Sequence, residues 1–522
     1  RVFPQATMLL LRLARRGAAR RFAWANKRAE CAAAAGHAPE APPPRPSSEI
    51  PGPRNWPLLG TLPDFALRAK FDFSNLDLGE VHKSYNSEFG DVYRLNMPPF
   101  GEHLIVSDPR EYAKIFQNEG QHPSGGAQFA WPLIRYYKDR GLDTNQSFMM
   151  DGERWKRIRT LTQKDLFGPK AAEDYLPAIC EAARSASRCV GDHARGFDTF
   201  IARAAFDMIC MVLIGRSMQA TDKSAVGPAD LEFVERATDA FTLLGQLMLQ
   251  PHKQAFAGGV LRDFYAHMDY CFESSHALVS ELFERISCGR ESEFEGSCYT
   301  SKLKARGELS LEEIRSVIMV MIIGGVDTTH YVTCWLLLNL AQHPDKQETL
   351  RQELHKVLAG GDLTSEALKR MPYLKACMRE SHRFTPSGPF NAMKLMPQDD
   401  IMCGFQVPKG TQVFLSVHPY MQRGDIVGDT GFRPERWLSA EVAERKSCPH
   451  ASAMDHRLLK DPFGAGARMC MGARVATLEM QALTCRLLQD YRIELEPGQS
   501  WKPKQGLMMK ADPFPVFKFT PL

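Results

Sequence analysis

Apolar positions in this chain recur mostly at helical spacing. The pattern predicts helices over 78–89, 108–117, 176–194, 200–215 and 231–249, a further one ending near Ile286, and others over 310–342, 373–383 and 473–490. Pro251 and Gly258-Gly259 break the run after 249. Shorter alternating runs predict strands at 91–95, 103–106, 401–407, 412–417, 491–495 and 506–518, with Leu507, Met508 and Met509 at a hairpin tip that reaches an apolar pocket. Stretches 118–150 and 287–308 lack a sustained period and read as loops. The expected fold is mainly α with a smaller β region.

The longest helical run begins with a capping box, Ser310 and Glu313, and ends before Pro344. Between Ser316 and Gln342 its one Asp/Glu/Lys/Arg residue is Asp327. Such a run fits a membrane span or a core helix buried on every side. An aspartate at bilayer depth is costly, and Gly324-Gly325 weaken a helix unless packing requires them, which favours the core helix.

Composition alters this picture little. The 522 residues are 44% apolar and 24% charged, enough for a large buried core. Thirteen cysteines without a CxxC pair suggest neither a disulfide framework nor a zinc site. Charge is more informative. Residues 1–50 hold nine Lys+Arg against three Asp+Glu, while the rest of the chain is slightly acidic, so nucleic-acid binding gains no support. Residues 1–29 contain no acid, and arginines alternate with Leu9, Leu10, Leu11, Leu13, Phe22 and Trp24. An Arg-rich, acid-poor amphipathic leader predicts mitochondrial import. The alternative, an endoplasmic-reticulum anchor, needs about 20 apolar residues, and the uncharged run 2–11 is shorter. The expected organisation is a leader at 1–36, a stiff Pro-rich linker at 37–57 and one catalytic domain at 58–522.

The candidate chemistry centres on Pro462-Phe463-Gly464-Ala465-Gly466-Ala467-Arg468-Met469-Cys470-Met471-Gly472. A Gly-rich loop permits close backbone approach, and a cysteine at a helix start sits where the helix dipole favours a thiolate. An ordinary turn with a core cysteine is the plainer reading of those features alone. The spacing Phe463, Gly466, Arg468, Cys470, Gly472, however, resembles the proximal loop of the cytochromes P-450, the haem-thiolate monooxygenases. Further segments match that family. Trp155 and Arg159, at i and i+4, resemble its haem-propionate pair. Gly324-Gly325-Val326-Asp327-Thr328-Thr329 resembles its oxygen-activating helix bend, and Glu380–Arg383 with Arg436 resembles its buried ion-pair knot. The resemblance runs from about Ile50 to Leu522.

The resemblance implies one haem b with Cys470 as axial ligand, and Phe463, Gly464 and Gly472 shaping the loop around it. Arg468, Trp155 and Arg159 would serve the propionates. Asp327 and Thr328 would manage protons, and Glu380, Arg383 and Arg436 would hold the haem-side core. It implies O2 as co-substrate and a small lipophilic substrate reached through the 118–150 loops and a lid near 240–260. In the mitochondrial branch, basic residues at Lys375 and Arg379, extended here by Arg474, dock an acidic ferredoxin that relays electrons from NADPH. That branch also suggests a steroid-, sterol- or secosteroid-like substrate and peripheral contact with the inner membrane. The alternatives are a microsomal-type monooxygenase of another lipophile, a haem-thiolate isomerase or dehydratase, and a non-catalytic haem or membrane protein. Intact Asp327–Thr328 speaks against the isomerase or dehydratase.

Four positions depart from the family pattern. Thr385 stands where histidine is usual. By spacing, a further propionate-binding arginine falls on Met393, with Lys394 next. Either Lys394 substitutes for it, or propionate binding rests on Trp155, Arg159 and Arg468. Ala465 replaces an aromatic residue, and Ala473 a basic one that would help dock the ferredoxin.

Overall fold

Ser310 starts the helix on which the rest of the molecule is assembled. Its hydroxyl accepts the Glu313 N–H, and the Glu313 carboxylate accepts the Ser310 N–H. The computed structural model describes residues 43–72, 76–98, 101–124, 130–142, 151–249, 258–388, 390, 392–446 and 451–522. The leader, the first part of the linker, Phe129, the stretch 143–150 and the lid segment 250–257 lie outside the described residues.

The helices that place the site are α1 (Gly152–Phe167), α2 (Phe197–Leu213), α3 (Pro228–Leu249), α4 (Gly258–Ser287), α5 (Leu311–Gln342), α6 (Pro372–Phe384) and α7 (Ala473–Asp490). Helix α5 runs through the core, packed by α2, α3, α4 and α7. It is long and apolar enough to cross a membrane, but most of it is buried inside the fold. Being apolar on nearly every face, it finds its partners in other helices. Gly325 explains the closeness of one of them, because a Cβ there would stand 3.2 Å from Ile209 of α2.

The β region is small and nonlocal. Strands β1 (Val92–Met97), β2 (Gly101–Val106), β3 (Ala392–Leu395), β4 (Asp400–Met402), β5 (Phe405–Val407) and β6 (Gln412–Leu415) precede α7. After it come β7 (Tyr491–Leu495), β8 (Lys502–Gln505), β9 (Met509–Asp512) and β10 (Phe517–Pro521). One sheet has the order β1-β2-β6-β3. Its β1–β2 and β6–β3 pairs are antiparallel, and β2–β6 is parallel with His103 opposite Gln412. Separate pairs are β4–β5, β8–β9 and β7–β10.

Several elements differ from the sequence expectation. The stretch 118–150 contains a helix, Trp131–Asp139, which opens on Pro132, a residue suited to a first turn. The stretch 287–308 holds two short helices, Glu293–Ser297 and Tyr299–Arg306, the first with its own capping box from Ser292 and Glu295. The 401–407 run is a hairpin that turns at Cys403 and Gly404, both at positive φ. Strand β3 was not expected; it exists because β6 offers a partner edge, a tertiary cause that local pattern does not carry. At the C-terminus, Gly506–Met508 connect β8 to β9, and the tip reaches α3, where a Cβ on Gly245 would stand 2.8 Å from the Leu507 Cβ. The same hairpin ties to α5, since Trp335 donates its indole N–H to the Met509 carbonyl at 2.8 Å.

Candidate haem-thiolate site

The cysteine loop is set by its glycines. Gly464 and Gly466 adopt φ of 70° and 72°, the left-handed region that a side chain disfavours. Gly466 has a second constraint: a Cβ would stand 2.4 Å from the Glu119 Oε1 and 2.7 Å from the Phe116 ring. The loop closes through the Cys470 N–H, which donates to the Phe463 carbonyl at 3.0 Å. Helix α7 then begins three residues later. Burial pushes the Cys470 thiol up, while N–H groups of Gly472 and Ala473 bonded to the sulfur and the nearby Arg159 pull it back towards thiolate.

Cys470 keeps accessible surface although protein atoms enclose it. A side chain so placed faces an internal hollow. Helix α5 has a matching feature. Gly324 is exposed in the middle of an otherwise buried helix, and a Cβ there would meet nothing within 4 Å. Thr328, one turn on, shares that face and donates its hydroxyl to the Gly324 carbonyl at 2.8 Å. Helices α5 and α7 are joined directly below it. The Thr329 hydroxyl approaches Glu479 of α7 at 3.5 Å, and Glu479 lies about 9 Å along that helix from Ala473. The open surface of Cys470, just before α7, and the open Gly324–Thr328 face of α5 thus belong to neighbouring parts of the fold.

Around the loop stand three residues suited to anionic substituents. Arg468 lies 3.8 Å above the Trp155 ring, donates Nε–H to the Pro123 carbonyl at 2.8 Å and pairs with Asp151 at 2.8 Å. Burial pushes its guanidinium down to about 10, against the pull of Asp151 and Glu119. Arg159 is buried, bonded to Gln163 and to the Met469 carbonyl, so it supports the loop next to the sulfur. Trp155 is buried beneath Arg468.

Lys394 is engaged elsewhere. Side chains alternate along a strand, so Met393 and Lys394 of β3 face opposite sides of the sheet. Met393 packs against the apolar cluster that contains Tyr93, Leu95 and Phe414. Lys394 forms a buried ion pair with Glu119 at 2.8 Å, and Glu119 also accepts the Ala467 N–H at 3.3 Å. A lysine one position late in a strand therefore braces the cysteine loop through Glu119.

Glu380 of α6 is fully buried. It holds Arg383 at 2.8 Å and Arg436 at 3.0 Å, and accepts the Trp437 indole N–H at 2.9 Å and the Arg433 N–H at 2.8 Å. The two arginines extend to the carbonyls of Met421, Val427, Gly431 and neighbours, which stitches the segment 421–437 to α6. On the same helix Lys375 and Arg379 are half-buried and, with Lys460, line a cavity of about 200 Å³ against Phe463. Arg474 is exposed on the first turn of α7 and donates to the Phe167 carbonyl.

Sequence reasoning missed three residues. Glu119 gives no local signal. Glu479 is fully buried, and burial raises its carboxyl to about 8. His330 lies three residues beyond Asp327, a helical neighbour that the spacing alone would reveal.

Comparison with known proteins agrees with this geometry. The family model described as Cytochrome P450 matches residues 50–516. The chain is 27% identical over 460 residues to the mitochondrial 1,25-dihydroxyvitamin D(3) 24-hydroxylase of Rattus norvegicus, covering 85% of this chain and 84% of that one. It is 26% identical over 500 residues to cytochrome P450 CYP12A2 of Musca domestica, covering 91% of each, and 26% identical over 510 residues to probable cytochrome P450 12c1, mitochondrial, of Drosophila melanogaster, covering 92% of each. A thiol-bearing glycine loop at the start of α7 and an open glycine–threonine face on α5, the helix packed against α7, within a match that spans nearly the whole chain, make this protein a member of the cytochrome P450 family and a haem-dependent monooxygenase.

Proposed function

We propose that the chain holds one haem b on Cys470 and inserts one oxygen atom of O2 into a C–H bond of a steroid-, sterol- or secosteroid-like substrate in the mitochondrion, with electrons from NADPH passed through a ferredoxin reductase and a ferredoxin. The observation that carries the reaction is the Cys470 loop, its sulfur bonded by backbone N–H groups, at the start of the helix that packs against α5 with its open Gly324–Thr328 face. When bound, the haem supplies the activation of O2, and a thiolate ligand favours O–O cleavage.

The chain's own residues have separable tasks. The N–H groups of Gly472 and Ala473 and the charge of Arg159 favour the anionic sulfur, against burial, which pushes the thiol up. Arg468, Trp155 and Arg159 would hold the haem carboxylates through their N–H donors. Gly324 leaves room along its face of α5, and the Thr328 oxygen, its own proton on the Gly324 carbonyl, is free to accept a proton donor from that space. Asp327, the preceding residue on α5, is a buried acid whose carboxyl is raised by burial, the direction that suits a proton carrier.

Substrate class and compartment rest on the vitamin D 24-hydroxylase relative and on relatives named as mitochondrial, together with the arginine-rich leader. The ferredoxin rests on Lys375, Arg379 and Lys460, three cations around one cavity on the Phe463 side of the loop. Peripheral contact with the inner membrane belongs to the same reading.

The test is turnover of the holoenzyme on a panel of sterols and secosteroids, with a mitochondrial-type ferredoxin system or a microsomal flavoprotein reductase. Product with the flavoprotein alone would reject the partner and compartment; a panel giving no spin-state change would reject the substrate class. With Lys375→Glu and Arg379→Glu combined, the KM for ferredoxin is expected to rise about tenfold or more and to lose most of its salt dependence, while the reduced carbon monoxide spectrum stays unchanged.

A further inference from the structure

Asp327 and His330 sit one helical turn apart on α5, both buried, with the Asp327 Oδ1 3.6 Å from the His330 Nδ1. Neither carboxyl oxygen and neither ring nitrogen has a hydrogen-bond partner within reach among the described residues. Buried polar groups left this way are costly, so each is the other's nearest source of compensation. The His330 ring is stacked on Tyr331 at 4.2 Å, which limits where its nitrogens can turn. The charged or titratable groups coupled to the Asp327 carboxyl are His330 and Tyr331 on its own helix and Asp239 of α3, and Asp239 opposes ionisation.

We propose that His330 is a positioning residue for proton delivery: with Asp327 it forms a buried imidazole–carboxyl pair that holds one proton beside Thr328. The inference deepens the proposed function and rests on its assignment of Asp327 as the proton source. The pair carries one proton between Oδ1 and Nδ1, as neutral acid with neutral imidazole or as carboxylate with imidazolium, and either form is neutral overall. When that proton passes from Asp327 towards Thr328, the pair is left with one net negative charge in a buried place, next to Asp239. Recovery of one proton from solvent restores neutrality. No electrons move within the pair. His330 sets how readily Asp327 gives up its proton: a neighbouring imidazolium favours the carboxylate, and without it burial and Asp239 keep the carboxyl protonated.

The experiment uses the haem-loaded protein and three variants, Asp327→Asn, His330→Gln and His330→Leu. Infrared difference spectroscopy follows the protonated carboxyl band across pH, with Asp327 identified by its loss in Asp327→Asn. In both His330 variants the band is expected to persist to higher pH, by about tenfold or more in proton affinity. The second readout is peroxide released per NADPH consumed with the ferredoxin system; its pH profile is expected to move upward by the same amount in both variants. A His330 that merely fills space would lower the melting temperature of His330→Leu and leave both the band and the profile in place; that result overturns the inference. The two levels separate. If Asp327→Asn leaves the peroxide share unchanged, the assignment of Asp327 as proton source fails. If Asp327→Asn raises it while the His330 variants move neither readout, the imidazole–carboxyl pair alone fails.

Discussion

Cys470→Ala is expected to remove the red-shifted Soret band of the reduced protein with carbon monoxide and to lower turnover by about a thousandfold or more, about 4 kcal/mol in the barrier. The loop itself should survive, because its closing bond uses the Cys470 backbone N–H and the Phe463 carbonyl, and its shape depends on Gly464 and Gly466. The substitution therefore separates ligation from folding. The measurement is the carbon monoxide difference spectrum of haem-loaded variant protein, with circular dichroism as the control. A red-shifted band retained by properly loaded Cys470→Ala would mean that another residue holds the iron.

Glu380→Gln is expected to have the largest effect on stability, about 3–5 kcal/mol. The carboxylate is fully buried and answers two guanidinium groups, an indole N–H and a backbone N–H. Removing its charge leaves Arg383 and Arg436 buried without a counter-charge, and the carbonyls of 421–431 hang from those arginines. Expression of haem-loaded protein and its half-life at raised temperature are the readouts. Glu80→Gln is the contrast. Its pair with Lys83 is 3.4 Å long with both side chains about 70% exposed, and such pairs are worth about 0–1 kcal/mol. Equal losses from the two substitutions would refute the account of the buried knot.

These expectations show what was readable from the chain itself. Helical period and caps located α5 to within a residue, because Ser310, Glu313 and Pro344 act through local chemistry. The partnership of Glu380 with Arg383 was readable as an i,i+3 spacing, but its burial depends on the segment 421–437 folding back over it. Strand β3 and the Lys394–Glu119 pair were not readable for the same reason. The pair joins residues 275 apart in sequence, and nothing near either one announces the other. The short helices in 118–150 and 287–308 were missed because a turn or two of helix has too few residues to establish a period. Within the site, residue types with a motif around them were visible and His330 was readable as an i,i+3 neighbour of Asp327, whereas Glu479 acquires its character only from what surrounds it.

The Glu119 brace has a bearing on assembly. Glu119 reaches from the end of the helix Pro109–Asn118 to Lys394 in the sheet and to the Ala467 N–H in the cysteine loop. All three anchors belong to the polypeptide, so the shape of this loop is set during folding and is not borrowed from the cofactor. A preorganised receptor loses less conformational entropy when its ligand arrives. Haem insertion on the sulfur side then meets a loop already held by Lys394 and Glu119.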